Sequence, residues 1–177
     1  DFFDRDLAIP GMCDDLLKDV DYVYHLADVV AGIEYVFNNQ GSVFHENILI
    51  NSNVIASVRD HPVKGFIYTG TACSFPASLQ TGVNARPLKE EDQYPASPES
   101  AYGWSKLMGE YETLLLESEC RIPVSVIVFH NVYGEPCDYS SDKSQVIPSL
   151  IRKAISAPET PFVVFGSGSQ GRAFLHI

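Results

Sequence analysis

The sequence predicts an α/β fold, a Rossmann-like doubly wound parallel sheet, on the basis of two observations. Short apolar segments rich in Val, Ile, Tyr and Phe alternate with longer segments of helical periodicity, which is the pattern of βαβ units. The short segments are apolar along their whole length, as is typical of parallel strands that helices cover on both faces. Four strands are predicted, over residues 20–27, 64–72, 122–130 and 161–168.

Helical periodicity predicts four further elements, over residues 10–18, 42–61, 98–119 and 145–156. The third helix is predicted to take Ser97 as its N-cap and Pro98 as its first residue, because both residue types favour those positions. Residues 74–98 contain four prolines and predict a long irregular segment. Loops of that length inside a compact domain are usually functional.

The predicted strands also indicate where a ligand binds, because open α/β sheets bind ligands beyond the carboxyl ends of their strands. We therefore expect a site formed with the helix that carries Tyr102. The other contributions are expected from the segments that follow three strands, residues 25–32, 69–76 and 129–136.

Composition and charge exclude several classes of function. The chain is long enough for one domain with its own core, and 45% of its residues are hydrophobic. A net charge of −11 without a cluster of Lys and Arg excludes a nucleic-acid surface, although one helix N-terminus or arginine still suffices for a small anion. No apolar segment reaches the roughly 20 residues of a membrane span. The four cysteines match no zinc or redox motif, so we predict no metal site and a cytoplasmic protein with reduced thiols.

Tyr102 and Lys106 are four residues apart on a predicted helix, so both side chains lie on one face. An ammonium beside a phenol lowers the tyrosine pKa from about 10, which suits a group that exchanges protons with a substrate hydroxyl. Thr71 follows a predicted strand, where its hydroxyl can share that proton or bond its own loop. On spacing alone, a packed tyrosine beside a solvated lysine is the simpler explanation of the pair.

Five segments carry a resemblance to a known family. They are HLADVVAG (25–32), TGTACSFP (69–76), AYGWSK (101–106), FHNVYGEP (129–136) and GSGSQGRAFLHI (166–177). In this order and at these distances they resemble the extended short-chain dehydrogenase/reductases, the NAD-dependent epimerase/dehydratase family, which act on nucleotide sugars. The motifs cover almost the whole chain and are most similar to those of members that act on GDP-sugars.

The resemblance implies an enzyme that uses NAD or NADP and oxidises a nucleotide sugar transiently at C4. In such an enzyme Tyr102 is the general base and acid, Lys106 lowers its pKa and contacts the nicotinamide ribose, and Thr71 binds the reacting hydroxyl. Cys73 stands where some epimerases carry a second acid/base group, so it is expected to assist epimerisation. The alternative for Cys73 is a small buried cysteine without a catalytic role.

The same resemblance assigns the residues that bind the two ligands. Contacts with the cofactor are expected from Asp6, Leu7, Leu26, Ala27, Asn47, Tyr102 and Lys106. Contacts with the nucleotide sugar are expected from Gly32, Asn131, Val146 and Arg172. A further acid/base group of the double epimerases is not matched, since Gln145 and Lys143 stand near its position.

The Gly-rich phosphate loop that opens such a fold is not found in the sequence. We therefore expect residues 1–177 to be a partial NAD(P)-binding domain that lacks its first βαβ unit and most of its C-terminal substrate domain. The substrate-binding region is expected to begin at about residue 135. The family also implies a homodimer through the helix pair that includes the Tyr102 helix. The alternative from another class is a non-catalytic Rossmann-like protein that binds a dinucleotide or a partner.

Overall fold

The main sheet of the protein is parallel, with the strand order β1–β2–β3. The computed structural model describes residues 1–81, 85–139, 143–164, 166–169 and 171–177. In these residues the main sheet consists of β1 (Tyr22–His25), β2 (Gly65–Thr71) and β3 (Val124–Phe129). Tyr22 pairs with Gly65, and Phe66 pairs with Val124. The prediction of an α/β fold with a parallel sheet is confirmed.

The helices of the described part of the chain are α1 (Ile33–Asn38), α2 (Gln40–Asp60), α3 (Ala101–Cys120) and α4 (Val146–Ser156). Helices α2 and α3 connect successive strands and pack against each other. The Ser100 hydroxyl caps α3 by accepting a hydrogen bond from the Gly103 backbone N–H at 3.3 Å. The same helix ends at Arg121, which adopts the left-handed conformation at a φ of 58°. None of the described helices combines the length and apolar character that crossing a membrane requires.

The core lies between α2, α3 and one face of the sheet. Phe66 and Tyr68 of β2 are fully buried there, with Ile55 and Val58 of α2 and Leu116 of α3. Because side chains alternate between the two faces of a strand, Phe66 and Tyr68 define the covered face.

In the described residues the helices cover one face of the sheet, and its opposite face is largely exposed. Tyr22 and Tyr24 of β1 are 60% and 65% exposed there, and Ile127 of β3 is 41% exposed. Strands added one after another in the same direction keep their crossover helices on the same side. Both crossovers of this sheet therefore cover the Phe66 face.

Two predictions about helices are wrong, one for a whole helix and one for the start of α3. Residues 10–18 form a succession of turns rather than a helix. Gly11 and Asp19 have positive φ values of 79° and 65° in this region, and such values interrupt a right-handed helix. Helix α3 begins three residues later than predicted, because Ser100 rather than Ser97 provides the cap.

The predicted strand over residues 161–168 is also wrong for the residues that the structure describes. Residues 161–164 and 166–168 are outside any strand, and residue 165 lies outside the described part of the chain. Gly166 and Gly168 have φ values of 75° and 76°, which an extended strand does not accommodate. A small parallel sheet is formed instead by β4 (Asn131–Tyr133) and β5 (Phe174–His176).

Candidate active site

The first turn of α3 places Tyr102 beside the segment that follows β2, at the carboxyl edge of the sheet. Gly103 allows this approach, because a Cβ at that position would lie 2.1 Å from the carbonyl oxygen of Cys73. Thr71 and Cys73 both lie close enough to Tyr102 to affect its pKa: a hydrogen bond with Thr71 lowers the pKa, and Cys73 raises it. The structure thus brings together three of the residues that the sequence predicts as catalytic.

Thr71 and Cys73 are held in a short 3₁₀ turn. The Thr71 hydroxyl accepts a hydrogen bond from the Cys73 backbone N–H at 3.2 Å, and the Thr71 carbonyl accepts one from the Ser74 hydroxyl at 2.7 Å. These bonds fix Thr71 at the end of β2, where it is 9% exposed. The Cys73 thiol is free and exposed, so the alternative of a buried cysteine at this position is wrong.

Lys106 lies one turn after Tyr102 and is buried, which excludes the solvated lysine of the simpler explanation. Its ammonium forms a salt bridge with the Asp28 carboxylate, and the two side chains are 4% and 2% exposed. The same ammonium lies 4.5 Å from the centroid of the Tyr68 ring, a cation–π contact. Sequence reasoning did not find Asp28, although a carboxylate directly after an apolar strand at the ligand-binding edge is a usable signal.

Asp28 belongs to a set of buried polar side chains between β1 and α2. His25 and Asn51 share a hydrogen bond of 2.7 Å between Nε2 and Oδ1. Within the described residues, Asp28 Oδ1 and Asn51 Nδ2 are the buried side-chain atoms that lack a hydrogen bond of good geometry. Burial raises the pKa of Asp28, while the charge of Lys106 and a weaker interaction with Asn51 act in the opposite direction.

Asn47 fixes the backbone beside Asp28. Its Oδ1 accepts a hydrogen bond from the Val29 N–H at 2.6 Å, and its Nδ2 donates to the Val29 carbonyl at 3.3 Å. Asn47 is fully buried, and Nδ2 also lies 3.4 Å from the Ser105 hydroxyl of α3. In this structure Asn47 thus positions the loop that carries Asp28, and its predicted contact with a cofactor stays a prediction.

The environment of Tyr102 favours the protonated phenol. Burial raises the pKa of Tyr102 above its ordinary value, the charges of Asp28 and Cys73 raise it further, and Thr71 lowers it. The pKa of Tyr102 is thus raised, where the sequence predicts that Lys106 lowers it, and the Lys106 ammonium is paired with Asp28 instead. Tyr102 is therefore a proton donor at neutral pH.

A cavity of about 380 Å³ lies next to the same edge, between the loop after β1, β4 and the start of α4. Its walls include Val30, Tyr133, Cys137, Lys143 and Gln145. Val30 is two residues from Asp28, so one loop contacts both the Lys106 ammonium and this cavity.

None of the four predicted substrate-binding residues is part of the cavity walls. The Gly32 N–H donates to the Lys143 carbonyl at 3.0 Å, and a Cβ on Gly32 would lie 2.6 Å from the Ser144 carbonyl oxygen. Asn131 Nδ2 donates to the Ala173 carbonyl at 3.0 Å, which joins β4 to the Arg172 segment. Val146 is the first residue of α4. Arg172 is exposed and donates to the carbonyl of its neighbour Gly171 at 2.8 Å.

The predicted cofactor residues fall into two groups. Leu26, which is 67% exposed, and Ala27 follow β1 directly and lie at the edge that carries Asp28. Leu7 is attached further along α2, because its carbonyl accepts a hydrogen bond from Asn53 Nδ2 at 3.0 Å. Asn53 lies about 9 Å beyond Asn47 at 1.5 Å per helical residue, so Asp6 and Leu7 are separated from the Tyr102 site.

The parallel sheet, with α2 and α3 as its crossover helices, defines a Rossmann-like α/β protein. The model of the NAD dependent epimerase/dehydratase family matches residues 1–177, and the chain belongs to this family. The resemblance inferred from the sequence motifs is confirmed.

Individual relatives agree with this assignment. GDP-mannose 3,5-epimerase from Arabidopsis thaliana is 30% identical over 172 residues, which are 97% of this chain and 45% of that protein. GDP-L-fucose synthase from Escherichia coli is 27% identical over 165 residues, or 89% of this chain and 50% of that protein. The chain therefore spans about half the length of the curated relatives it matches.

A solved structure supports the fold. The crystal structure of a GDP-L-fucose synthetase from Naegleria fowleri bound to NADP superposes with a TM-score of 0.80 at 26% identity. The match covers 98% of this chain and 57% of that chain. The Rossmann-like architecture predicted from the sequence is thereby confirmed.

Proposed function

We propose that this chain forms part of an NAD(P)-dependent nucleotide-sugar epimerase/dehydratase that oxidises its substrate transiently at C4. One observation carries the proposal. The first turn of α3, which carries Tyr102, packs at Gly103 against the Cys73 backbone after Thr71, and Lys106 follows Tyr102 one helical turn later. The names of the relatives, an epimerase and a synthase of GDP-sugars, support the substrate class.

The residues present fit the nicotinamide-ribose end of a dinucleotide. The Lys106 ammonium is a donor and the Asp28 carboxylate an acceptor, the two kinds of group that bind ribose hydroxyls, and a ribose would reach them by replacing part of their buried contact. Leu26 and Ala27 offer an apolar surface next to them, and Asp6 and Leu7 would contact the adenine end. When bound, the nicotinamide supplies the two-electron oxidant and reductant that the side chains lack.

Tyr102 moves the proton of the reacting hydroxyl, and Thr71 holds that hydroxyl by a hydrogen bond. As C4 becomes a ketone, the hydroxyl proton passes to the phenolate of Tyr102, and it returns to the C4 oxygen when the ketone is reduced. Because burial favours the protonated phenol, this structure favours the step in which Tyr102 donates its proton to the C4 oxygen. Lys106 is the cation that stabilises the phenolate in the other direction.

Cys73 moves a second proton, from a carbon next to C4. A ketone at C4 acidifies the neighbouring C–H bonds, so a thiolate can remove such a proton and leave an enolate and a thiol. The thiol then returns the proton to the carbon. One observation supports this role: the Cys73 thiol is free and exposed in the segment against which the Tyr102 turn packs.

The nucleotide part of the substrate is assigned to the cavity beside the β1 loop. Residues 135–177 then begin the substrate-binding region, since Cys137, Lys143 and Gln145 form part of its walls. The walls carry both Asp138 and Lys143, and Lys143 is the group there whose charge suits a diphosphate.

A homodimer and a cytoplasmic location complete the proposal. Trp104, Met108 and Tyr111 are 39%, 37% and 57% exposed and follow one another along α3 at helical spacing. Such an apolar stripe on the Tyr102 helix supports pairing with a second copy. The four cysteines are all free, which supports a reducing compartment.

Replacing Tyr102 by Phe in the protein that contains this chain tests the catalytic role. Turnover of GDP-mannose with added NAD or NADP is expected to fall by about 10²–10⁴-fold, the usual contribution of a general acid/base. Tyr24→Phe, on the bare face of the sheet, is the matched control and should keep wild-type turnover. Equal turnover in Tyr102→Phe and wild type would remove Tyr102 from the mechanism, whereas no turnover in the wild type would favour the non-catalytic dinucleotide- or partner-binding alternative.

Solvent deuterium reports on Cys73. In D₂O, mass spectrometry of the recovered nucleotide sugar measures deuterium that enters from solvent at the carbon next to C4. Cys73→Ala is expected to abolish this incorporation, while the control Cys120→Ala retains it. Incorporation at the wild-type rate in Cys73→Ala would remove Cys73 from the mechanism and leave the roles of Tyr102 and Thr71 intact.

A further inference from the structure

We propose that Asp28 is a positioning residue for the Tyr102–Lys106 pair. Its carboxylate holds the Lys106 ammonium in the buried space beside the site and offsets the lysine charge at the Tyr102 hydroxyl. The proposal deepens the proposed function and rests on it, since it takes Tyr102 as the group whose proton is exchanged.

Asp28 fixes the position of the Lys106 ammonium through a buried salt bridge. The two side chains are almost completely buried, so water does not solvate either charge. Asn47 holds both backbone groups of Val29, the residue after Asp28, and thereby fixes the loop against α2. Tyr68 confines the ammonium from another direction, with its ring 4.5 Å away and its hydroxyl donating to the Lys106 carbonyl at 3.1 Å. The ammonium is therefore confined on two sides.

Stability alone does not explain such a pair. Removing two charges from water costs about as much free energy as their attraction returns, so a buried salt bridge contributes little net stability. Asp28 also leaves Oδ1 without a hydrogen bond, which adds a further cost. The consequence of placing the pair here is electrostatic, because the Asp28 carboxylate that binds Lys106 also raises the pKa of Tyr102.

Among the described residues, Tyr68 of β2 is a titratable neighbour of both groups, since it interacts with Tyr102 and its ring contacts the Lys106 ammonium. Tyr102 faces Asp28 from the β1 loop and Cys73 from the segment after β2, in addition to the Thr71 hydroxyl. Lys106 faces Asp28, and its charge also acts on Glu110 of α3 and His25 of β1. Glu110 is occupied by a hydrogen bond of 2.8 Å from Gln93 Nε2, so Asp28 is the direct partner of the ammonium.

The test measures the ionisation of Tyr102 directly, without turnover. A difluorotyrosine at position 102 titrates at lower pH than tyrosine, and its fluorine NMR shift reports the phenolate in the folded protein without added nucleotide. Asp28→Asn is expected to lower the titration midpoint by about one pH unit or more, because an unopposed ammonium then acts on the phenol. Asp28→Glu keeps the charge and should restore a midpoint close to wild type. An unchanged midpoint in folded Asp28→Asn overturns the proposal.

A second pair of variants covers the case in which Asp28→Asn does not fold. Lys106→Met leaves the Asp28 carboxylate alone, and the double variant Asp28→Asn/Lys106→Met removes both charges. Tyr102 is expected to titrate at higher pH in Lys106→Met than in the double variant, and equal midpoints overturn the proposal. A shifted midpoint together with a fully active Tyr102→Phe variant would instead refute the proposed function while leaving the electrostatic role of Asp28 established.

Discussion

The Lys106 ammonium and the Asp28 carboxylate form a buried salt bridge that joins the Tyr102 helix to the loop after β1. The side chains are 4% and 2% exposed, so neither charge has access to water. Removing one partner of such a pair leaves an unpaired charge in the interior, whereas removing both does not. The pair thus links the stability of the fold to the geometry of the site.

The single variants Asp28→Asn and Lys106→Met are each expected to lower the free energy of unfolding by about 3–5 kcal/mol. The double variant is expected to lose much less than the sum, because it leaves no charge unpaired. Denaturant unfolding of the four proteins measures the coupling. The Lys64–Asp21 salt bridge, with side chains 67% and 59% exposed, is the control, and Lys64→Met should cost less than about 1 kcal/mol. Additive losses at Asp28 and Lys106 would contradict the buried pair.

Gly103 is expected to be intolerant of any side chain. A Cβ there would lie 2.1 Å from the Cys73 carbonyl oxygen, and that contact is with backbone, so α3 and the segment after β2 must move apart. Gly103→Ala should lower the free energy of unfolding by about 1–3 kcal/mol and reduce activity by separating Tyr102 from Thr71. Gly41→Ala in α2 is the matched control, since nothing lies within 4 Å of a Cβ there. It should be neutral or stabilising by up to about 1 kcal/mol. A stable, active Gly103→Ala protein would show that the packing is looser than described.

His25 is expected to make the protein less stable in mild acid. Burial lowers the pKa of His25 from 6.5 to about 4, with a smaller effect of Lys106 in the same direction, although the Asn51 hydrogen bond opposes it. The His25 imidazole is therefore protonated near pH 6.5 in the unfolded chain, but only near pH 4 in the folded protein. The free energy of unfolding is therefore unaffected by His25 above pH 6.5. It falls by about 3 kcal/mol in total as the pH decreases from 6.5 to about 4.

Denaturant unfolding between pH 7 and pH 4.5 measures this dependence. In His25→Gln the part of the slope that His25 contributes should disappear, because no group at that position then titrates. Histidine NMR of the wild type should show one imidazole, absent from the His25→Gln spectrum, that stays neutral at pH 5.5. An unchanged slope in His25→Gln would show that other groups cause the acid sensitivity.

The sequence predicts well which residues lie together at the carboxyl edge of the sheet, because these residues stand at strand ends. Thr71 and Cys73 follow one apolar strand, and parallel strands place their carboxyl ends at a common edge. Tyr102 opens the helix that returns from that edge. Their meeting therefore follows from the order of elements without any knowledge of packing.

Asp28 and the end of the chain illustrate what the sequence does not predict. Asp28 and Lys106 are 78 positions apart, and no periodicity identifies the partner of a side chain over that distance. The apolar residues 161–164 predict a strand by composition, yet they are exposed and find no partner strand in the described residues. Tertiary pairing decides both cases, in agreement with the strong context dependence of β-propensity.

The exposed stripe of α3 leads to a last prediction, about assembly. Trp104, Met108 and Tyr111 are half exposed on the helix that carries the site, and a second copy that pairs through α3 would bury them. A carboxylate in the centre of such an apolar interface costs several kcal/mol of association free energy, since it loses water without gaining a partner. Trp104→Glu and Met108→Glu are therefore expected to convert a dimer into monomers in sedimentation velocity. Ile155→Glu is the control, because Ile155 is 80% exposed on α4, away from the stripe, and should leave the dimer intact. A monomeric wild type, or a dimer that survives both α3 substitutions, would rule out assembly through this face.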